Sequence, residues 1–129
     1  MMAKLRTLLV DDNASFLTLA THLLADTCPD VEIVGSARDG LEAVRMAEEL
    51  MPQLIIMDLQ MPRMGGLQAT RLIKAQDNPP IILLVSNYDD SDHRQFTAQV
   101  GAEGFINKQE FESGVAAFVA ALQTGETHA

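Results

Sequence analysis

Short apolar runs alternate with segments of helical periodicity along the chain, and this alternation restricts the fold more than any other feature. Five runs are predicted to form β-strands: Thr7–Val10, Val31–Val34, Leu54–Met57, Ile81–Val85 and Gly104–Ile106. The third and fourth runs contain no polar residue, which is typical of strands buried on both faces. Strands that alternate with helices form a parallel sheet covered by helices on both faces. We therefore predict an α/β fold, a single doubly wound (βα)5 domain.

The helical segments place apolar side chains at intervals of three and four residues. The side chains predicted to face inward are Phe16, Ala20, Leu23, Leu24, Leu41, Val44, Ala47, Met51, Phe96, Val100, Phe111, Val115, Phe118 and Leu122. Asn13 is a predicted N-cap of the first helix. The sequence contains no linker and no internal repeat, so we predict one domain over residues 1–129, with a core from about 5 to 123 and a tail over 124–129.

Charge and cysteine content narrow the class of function. Nine Lys and Arg stand against 18 Asp and Glu, so the formal net charge is −9. An acidic chain lacks the charge that neutralises nucleic-acid phosphates, and it suits a small cation or a basic patch on a protein partner. The single cysteine, Cys28, indicates a reducing compartment. Because no apolar run is long enough to span a membrane and no signal peptide is recognisable, we predict a cytoplasmic protein without membrane or direct nucleic-acid contacts.

Polar side chains follow four of the five predicted strands. Asp11 and Asp12 follow the first strand, Asp58 the third, Ser86 the fourth and Lys108 the fifth. In an open parallel sheet, ligands bind beyond the carboxyl ends of the strands. We therefore expect three carboxylates, one hydroxyl and one ammonium to converge on one edge of the sheet.

This set of groups favours metal-assisted phosphoryl chemistry. Three neighbouring carboxylates do not all ionise readily unless a cation offsets their charge. Oxygen ligands without His or Cys indicate Mg²⁺, with Mn²⁺ as the alternative. An aspartate can also act as a nucleophile and form an aspartyl-phosphate. A metal, an ammonium and a hydroxyl would together neutralise the oxygens of the transferred group.

Five short motifs in this order resemble those of receiver domains of response regulators in two-component signalling. They are Val10-Asp11-Asp12, Met57-Asp58, Met61-Pro62 with Gly65-Gly66, Val85-Ser86, and Gly104-Phe105-Ile106-Asn107-Lys108. The resemblance covers residues 5 to about 123. It implies the flavodoxin-like or CheY-like topology with strand order 2-1-3-4-5. The Ser86-Asn87 pair and the absence of proline after Lys108 resemble receivers of the NarL/LuxR type.

The resemblance also implies roles for the acidic residues. Asp58 would be the phosphoacceptor and would contribute to the metal site. Asp12 would bind Mg²⁺ directly, and Asp11 would bind it directly or through water. The backbone carbonyl of Gln60 would be a further metal ligand. The domain would be a phosphoacceptor in signalling and not an enzyme, although it would carry self-phosphorylation and autodephosphorylation chemistry at Asp58.

A switch and a set of partners follow from the same resemblance. Lys108 would pair with the phosphoryl group, Ser86 would move to donate a hydrogen bond to it, and Phe105 would turn from an outward to an inward rotamer. The donor would be a phosphohistidine on a sensor histidine kinase or a His-phosphotransfer protein. The switched surface, made by the fourth helix, fifth strand and fifth helix, would act on an output domain or effector protein or form a homodimer.

Three positions depart from the common pattern of the family. Asn87 stands where a small residue is frequent and is followed by Tyr88; we expect this pair to tune access of water or a phosphatase and so the lifetime of the phosphorylated state. Gln109 stands where many receivers carry a cis-proline, and a cis bond to a non-proline residue costs about 2.5–4 kcal/mol. The cis geometry is therefore not carried over. A single-domain regulator and a segment of a longer DNA-binding regulator both remain open.

The same residues are compatible with other interpretations. Taken alone, the Asp11-Asp12 pair favours a helix dipole, Asp58 suits a turn, and Lys108 suits a solvated surface. A haloacid dehalogenase-type phosphatase would need a second aspartate where Gln60 stands. A nucleotide- or flavin-binding domain would carry a glycine-rich loop after the first strand. The remaining alternative is a pseudo-receiver that acts only as a protein-interaction module without phosphorylation.

Overall fold

The computed structural model describes residues 4–87 and 91–125, without the side chains of residues 91–94. Within these residues, strands and helices alternate as β1 Leu5–Val10, α1 Ala14–Thr27, β2 Val31–Ala37, α2 Gly40–Leu50, β3 Leu54–Asp58, α3 Gly66–Lys74, β4 Ile81–Ser86, α4 Ser91–Gln99, β5 Gly104–Asn107 and α5 Phe111–Gln123. A short 3₁₀ helix, Lys108–Glu110, joins β5 to α5 and was not predicted. All strands pair in parallel in the order β2-β1-β3-β4-β5, which confirms the predicted fold and topology.

The sheet separates two apolar clusters. Alternate side chains of β1, β3 and β4 pack with α1 and α5 on one face, and the remaining ones pack with α2 and α3 on the other face. All of Leu54–Asp58 is buried, as expected for a strand covered on both sides. No helix in the described part of the chain has the length and apolar character needed to cross a membrane.

Three apolar residues predicted to face inward are exposed instead. Leu41 and Met51 of the α2 segment are 52% and 66% exposed, and Phe96 of α4 is 48% exposed. The buried residues of α2 are the small ones, Gly40, Ala43 and Ala47, which allow the helix to lie close to its neighbours. Helix α2 also ends at Leu50, and Met51 adopts a left-handed conformation with φ 49°. The predicted interior faces of α2 and α4 were therefore wrong at these positions.

The C-terminal end of α2 is held by a side chain from β1. The guanidinium of Arg6 donates hydrogen bonds to the backbone carbonyls of Leu50 (2.7 Å) and Met51 (2.8 Å). These carbonyls have no partner within the helix and carry its negative dipole end. Arg6 therefore links the start of β1 to the end of α2. The other end of α2 lies near the carboxyl ends of β1 and β3.

Arg6→Ala is expected to lower the free energy of unfolding by about 1–2 kcal/mol, because two helix-end carbonyls lose a charged donor. Urea titration monitored by circular dichroism measures the change. Arg45→Ala is the matched control: its guanidinium forms an exposed ion pair with Glu49 on the same helix, 3.1 Å apart. That substitution is expected to cost less than about 0.5 kcal/mol. Equal losses for the two variants would contradict the capping role of Arg6.

Candidate functional site

Three aspartates meet at the carboxyl ends of β1 and β3. Val10 pairs in register with Met57, so Asp11 and Asp58 lie at the same level of adjacent strands. One carboxylate oxygen from each of Asp11, Asp12 and Asp58 lies within 4.8 Å of the others. Asp11 and Asp58 are buried, whereas Asp12 is exposed and lies on the solvent side of the cluster. The structure thus brings together the three carboxylates that the sequence places after these strands.

The ammonium of Lys108 is the cation of this cluster. Its Nζ lies 2.7 Å from Oδ2 of Asp11 and 3.7 Å from Oδ2 of Asp58. The second oxygen of Asp11 accepts the backbone N–H of Asn13 at 2.9 Å. Three carboxylates beside one ammonium leave excess negative charge in a largely buried space. A divalent cation with a preference for oxygen ligands fits this charge and this donor set.

Burial raises the pKa of the Asp58 carboxyl to about 6, and the nearby Asp11 carboxylate adds to the rise. Lys108 and the backbone N–H of Gln60 act in the opposite direction but do not cancel these effects. The N–H of Gln60 lies 3.4 Å from Oδ1 of Asp58. Ionisation of Asp58 is therefore costly in the absence of a metal, and a nearby cation would favour its charged form.

The backbone around Asp58 is tightly packed. Leu59 donates its N–H to the carbonyl of Val85 (2.9 Å), and Gly66 donates its N–H to the carbonyl of Leu59 (2.8 Å). A Cβ at Gly66 would lie 2.4 Å from the carbonyl oxygen of Asp58, so the start of α3 requires glycine here. This close approach fixes the loop that carries Gln60, whose backbone carbonyl stays a predicted ligand.

The turn between β2 and α2 contacts the loop that carries Asp12 and the loop that follows Asp58. These contacts were not predicted from the sequence. Arg38 donates from Nε and Nη2 to the backbone carbonyl of Asp12, at 3.1 and 2.9 Å. Asp39 forms an ion pair with Arg63 of the β3–α3 loop. Gly40 donates its N–H to the carbonyl of Met64 in that loop, at 2.9 Å. These three consecutive residues therefore connect the Asp12 loop to the loop that follows Asp58.

Asp39 is itself held in its charged form. The backbone N–H of Glu42 and the Arg63 guanidinium lower the pKa of Asp39, with the Glu42 hydrogen bond as the larger cause. The same contact caps the N-terminus of α2, since the Glu42 N–H lies 2.8 Å from Oδ1 of Asp39. The one short-range signal that could have indicated this cap is an aspartate directly before a helical segment.

The other predicted site residues lie on β4 and β5. Ser86 is buried at the end of β4, one residue beyond Val85, the register partner of Asp58. Phe105 of β5 is half-buried against the apolar cluster that includes α2 and α3. Asn87 is exposed directly after Ser86, whereas Tyr88 lies outside the described residues. The structure therefore places the hydroxyl beside the carboxylate edge and leaves the proposed access pair only partly described.

The segment after Lys108 uses a backbone N–H that a proline would lack. The Lys108–Gln109 peptide bond is trans, and Lys108–Glu110 forms the 3₁₀ helix. The side chain of Asn107 accepts the backbone N–H of Gln109 at 2.9 Å. A proline at this position would have no N–H to donate. Asn107 and Gln109 thus orient the segment that carries Lys108 by a hydrogen bond instead.

An aromatic side chain lies against Lys108. The only sequence signal for this contact is indirect: a Phe predicted to face inward in the first turn of α1. Nζ of Lys108 lies 4.1 Å from the centroid of the Phe16 ring. The Phe16 ring meets that of Phe111 edge to face, with centroids 5.1 Å apart and an interplanar angle of 82°. The N-terminus of α1 is fixed by Asn13, whose Oδ1 accepts the N–H of Phe16 at 3.0 Å, as predicted for an N-cap.

Comparisons with known proteins agree with this geometry. A family model described as "response regulator receiver domain" matches residues 7–119. The chain is similar to the transcriptional regulatory protein LiaR of Bacillus subtilis, with 36% identity over 123 residues that cover 95% of this chain and 57% of LiaR. It is 39% identical over 107 residues to protein-glutamate methylesterase/protein-glutamine glutaminase 1 of Methanosarcina mazei, covering 82% of this chain and 30% of that protein.

Solved structures give the same result. The signal receiver domain of the response regulator NarL from Mycobacterium tuberculosis matches with a TM-score of 0.87 and 27% identity, over 96% of this chain and 99% of that domain. A LuxR-family two-component response regulator from Aurantimonas matches with a TM-score of 0.85 and 28% identity, over 97% of this chain and 89% of that structure. The resemblance to receivers of the NarL/LuxR type is confirmed.

Asp58→Asn is expected to stabilise the metal-free protein. The folded-state pKa of about 6 lies above the ~3.9 of an unfolded aspartate, so the folded state binds more protons and stability falls as pH rises through this window. The variant should gain about 2–3 kcal/mol at neutral pH in EDTA, and this gain should vanish below about pH 4. Urea titrations across pH measure it.

Asp39→Asn is the matched control for a buried aspartate. Because the pKa of Asp39 is lowered, its charged form contributes stability above the unfolded pKa, and this stability is lost as pH falls. The control variant should therefore lose stability at neutral pH while Asp58→Asn gains it. The same sign of change in both variants at neutral pH would refute this assignment of the two carboxylates.

Proposed function

The chain belongs to the response regulator receiver domain family, and from this we propose that it accepts a phosphoryl group on Asp58 with the help of Mg²⁺. The observation that carries the proposal is the cluster of Asp11, Asp12 and Asp58 oxygens within 4.8 Å of one another, with the Lys108 ammonium at its edge. Excess negative charge and a buried acceptor carboxylate suit a site that binds a divalent cation before an anionic donor.

The residues that would hold Mg²⁺ are Asp12, Asp11 and Asp58, together with the backbone carbonyl of Gln60. All supply oxygen, which this ion prefers, and the exposed Asp12 leaves the site open to solvent and to a donor. The bound ion would supply positive charge that offsets the carboxylates and the phosphoryl oxygens. Mn²⁺ has the same ligand preference and is expected to substitute.

In the proposed transfer, a carboxylate oxygen of Asp58 attacks phosphorus of a phosphohistidine on a sensor histidine kinase or phosphotransfer protein. The O–P bond forms as the N–P bond breaks, and the imidazole nitrogen keeps the electron pair and takes a proton from solvent. Lys108 lies close enough to Asp58 to neutralise a phosphoryl oxygen after a small movement, since Nζ is 3.7 Å from Oδ2. The chain thereby acts as a phosphoacceptor in signalling, and we do not propose a further enzymatic activity for it.

The proposed output follows from the neighbours of Asp58. Ser86 would approach the phosphoryl group and Phe105 would turn inward, which changes the surface made by α4, β5 and α5. That surface would act on an output domain or effector protein, or would form a homodimer. We place this signalling in the cytoplasm and assign it to one receiver domain over residues 1–129.

The acceptor is tested by incubating the protein with acetyl phosphate and Mg²⁺ and measuring the intact mass. One added phosphoryl group is expected, because acetate leaves as the O–P bond to Asp58 forms. The adduct should be absent in Asp58→Asn and in EDTA, and present in Asp39→Asn, where a buried aspartate outside the cluster is changed. An adduct that persists in Asp58→Asn would place the acceptor elsewhere.

Two further measurements complete this test. Isothermal titration with Mg²⁺ should show binding to the unmodified protein. If neither Mg²⁺ binding nor an adduct from acetyl phosphate or from a phosphorylated kinase is observed, the chain is a pseudo-receiver that acts through protein contacts alone. Sizing of the phosphorylated protein distinguishes a dimerising switch from a monomeric one.

The access pair is tested through the lifetime of the adduct. Asn87→Ala and Tyr88→Ala are expected to shorten it, because a smaller side chain after Ser86 leaves more room for attacking water. The decay of the phosphorylated mass after removal of the donor gives the rate. Thr18→Ala, on an exposed position of α1, serves as the control variant. Unchanged decay in both access variants would exclude a tuning role.

A further inference from the structure

The ammonium of Lys108 has two kinds of partner in the structure. One is the carboxylate of Asp11, 2.7 Å away, and the other is the face of the Phe16 ring, 4.1 Å from Nζ to the centroid. A cation over an aromatic face is attracted by the ring quadrupole, and the attraction is stronger where water is largely excluded. The Lys108 side chain is mostly buried, with 14% of its surface exposed. The contact between Lys108 and the Phe16 ring can therefore help to hold the ammonium in position.

We propose that Phe16 is a positioning residue for Lys108: its ring keeps the ammonium in the site when a metal ion shares the carboxylate that otherwise pairs with Lys108. This inference rests on the proposed phosphoacceptor function. It assigns to an aromatic side chain of α1 a part in the chemistry at Asp58, although Phe16 itself does not touch the reacting atoms.

Lys108 and the proposed metal would compete for the carboxylate of Asp11. In the described structure Oδ1 of Asp11 accepts the Asn13 N–H, and Oδ2 faces Lys108. If Asp11 helps to hold Mg²⁺, its charge would be shared between the metal and the ammonium, and the ion pair with Lys108 would weaken. Mg²⁺ prefers oxygen ligands and retains its waters, so it does not compete for the ring of Phe16. The ring is thus the partner of Lys108 that persists in the metal-loaded state.

The position of the ring allows this role. Lys108 has a flexible four-carbon chain, and its confinement costs side-chain entropy that a fixed contact has to offset. Nζ lies 3.7 Å from Oδ2 of Asp58, so it can reach an oxygen of a group attached there without leaving the ring. Phe16 is itself fixed, since its N–H is capped by Asn13 and its ring packs edge to face on the buried Phe111. The aromatic pair therefore ties α1 and the start of α5 to the position of the ammonium.

Phe16 is therefore expected to contribute little to the position of Lys108 in the metal-free protein and more when metal and a phosphoryl analogue are bound. Without metal, the ion pair with Asp11 is strong enough to retain Lys108 even when the ring contact is weakened. With Mg²⁺ and a phosphoryl analogue bound, the Asp11 contact would be weaker, and the ring would hold the ammonium where it can reach an oxygen of the analogue. A residue needed only for packing would affect both states equally and would depend on shape, not on the electron density of the ring.

The test varies the ring electrostatics at nearly constant shape. Phe16 is replaced by mono-, di- and trifluorophenylalanine through site-specific incorporation, and the affinity for beryllofluoride, a phosphoryl analogue, is measured by titration calorimetry at saturating Mg²⁺. Each added fluorine weakens the negative face of the ring. The dissociation constant of beryllofluoride is expected to rise stepwise, reaching roughly 3- to 10-fold for the trifluorinated ring. The dissociation constant of Mg²⁺ alone should change less than about twofold.

Control variants separate this effect from packing. The same series at Phe118, a buried ring of α5 that lies against Gly104, should leave beryllofluoride affinity unchanged. Phe16→Leu, which removes the ring, should weaken beryllofluoride at least as much as trifluorination and leave Mg²⁺ affinity unchanged. A flat beryllofluoride affinity across the Phe16 series, or equal trends at Phe16 and Phe118, would overturn the proposal. Failure of the unmodified protein to bind beryllofluoride would instead refute the phosphoacceptor function itself.

Discussion

Repulsion among carboxylates at one edge of the sheet is the constraint on which the site depends. One oxygen each from Asp11, Asp12 and Asp58 lies within 4.8 Å of the others, and two of the three side chains are buried. Burial and the adjacent Asp11 charge raise the pKa of Asp58 to about 6, although Lys108 acts against them. The metal-free protein therefore carries an electrostatic cost at this edge, and the proposed cation would be bound more tightly because it relieves that cost.

Such an arrangement works only if the carboxylates are prevented from moving apart. The chain achieves this with backbone contacts from elements that supply no ligand. Arg38 holds the carbonyl of Asp12, while Gly40 holds the loop after Asp58 through Met64. The same turn is the N-terminus of α2, whose far end is held by Arg6 of β1. Helix α2 therefore braces the acidic edge, and this role is consistent with its small buried residues and close packing.

The sequence predicts features that a regular local pattern marks, such as strands and the polar residues that follow them. It predicts less well the contacts between side chains that are far apart in the chain. Apolar runs located the five strands, because strands of a parallel sheet are buried and therefore apolar, and the polar residues after four of the predicted strands located the candidate site groups. The interior face of α2 was misassigned because large apolar residues dominate a periodicity analysis, whereas close helix packing selects Gly40 and Ala43. The contacts of Arg38 and Phe16 join segments far apart in sequence, and exposed arginines or inward phenylalanines carry no local signal of their partners.

The two partners of Lys108 differ in a way that suits a switch. An ion pair with Asp11 responds directly to any cation that shares that carboxylate, whereas a ring face responds to none of the charges that enter or leave the site. A lysine held only by carboxylates would lose its place when their charge is drawn elsewhere, and a lysine held only by a ring would not sense the change. With both, the ammonium remains beside Asp58 while the balance of forces on it shifts. In the proposed switch, a change of charge at the carboxylate cluster would thereby act on the segment that connects β5 to α5, which begins at Lys108 itself.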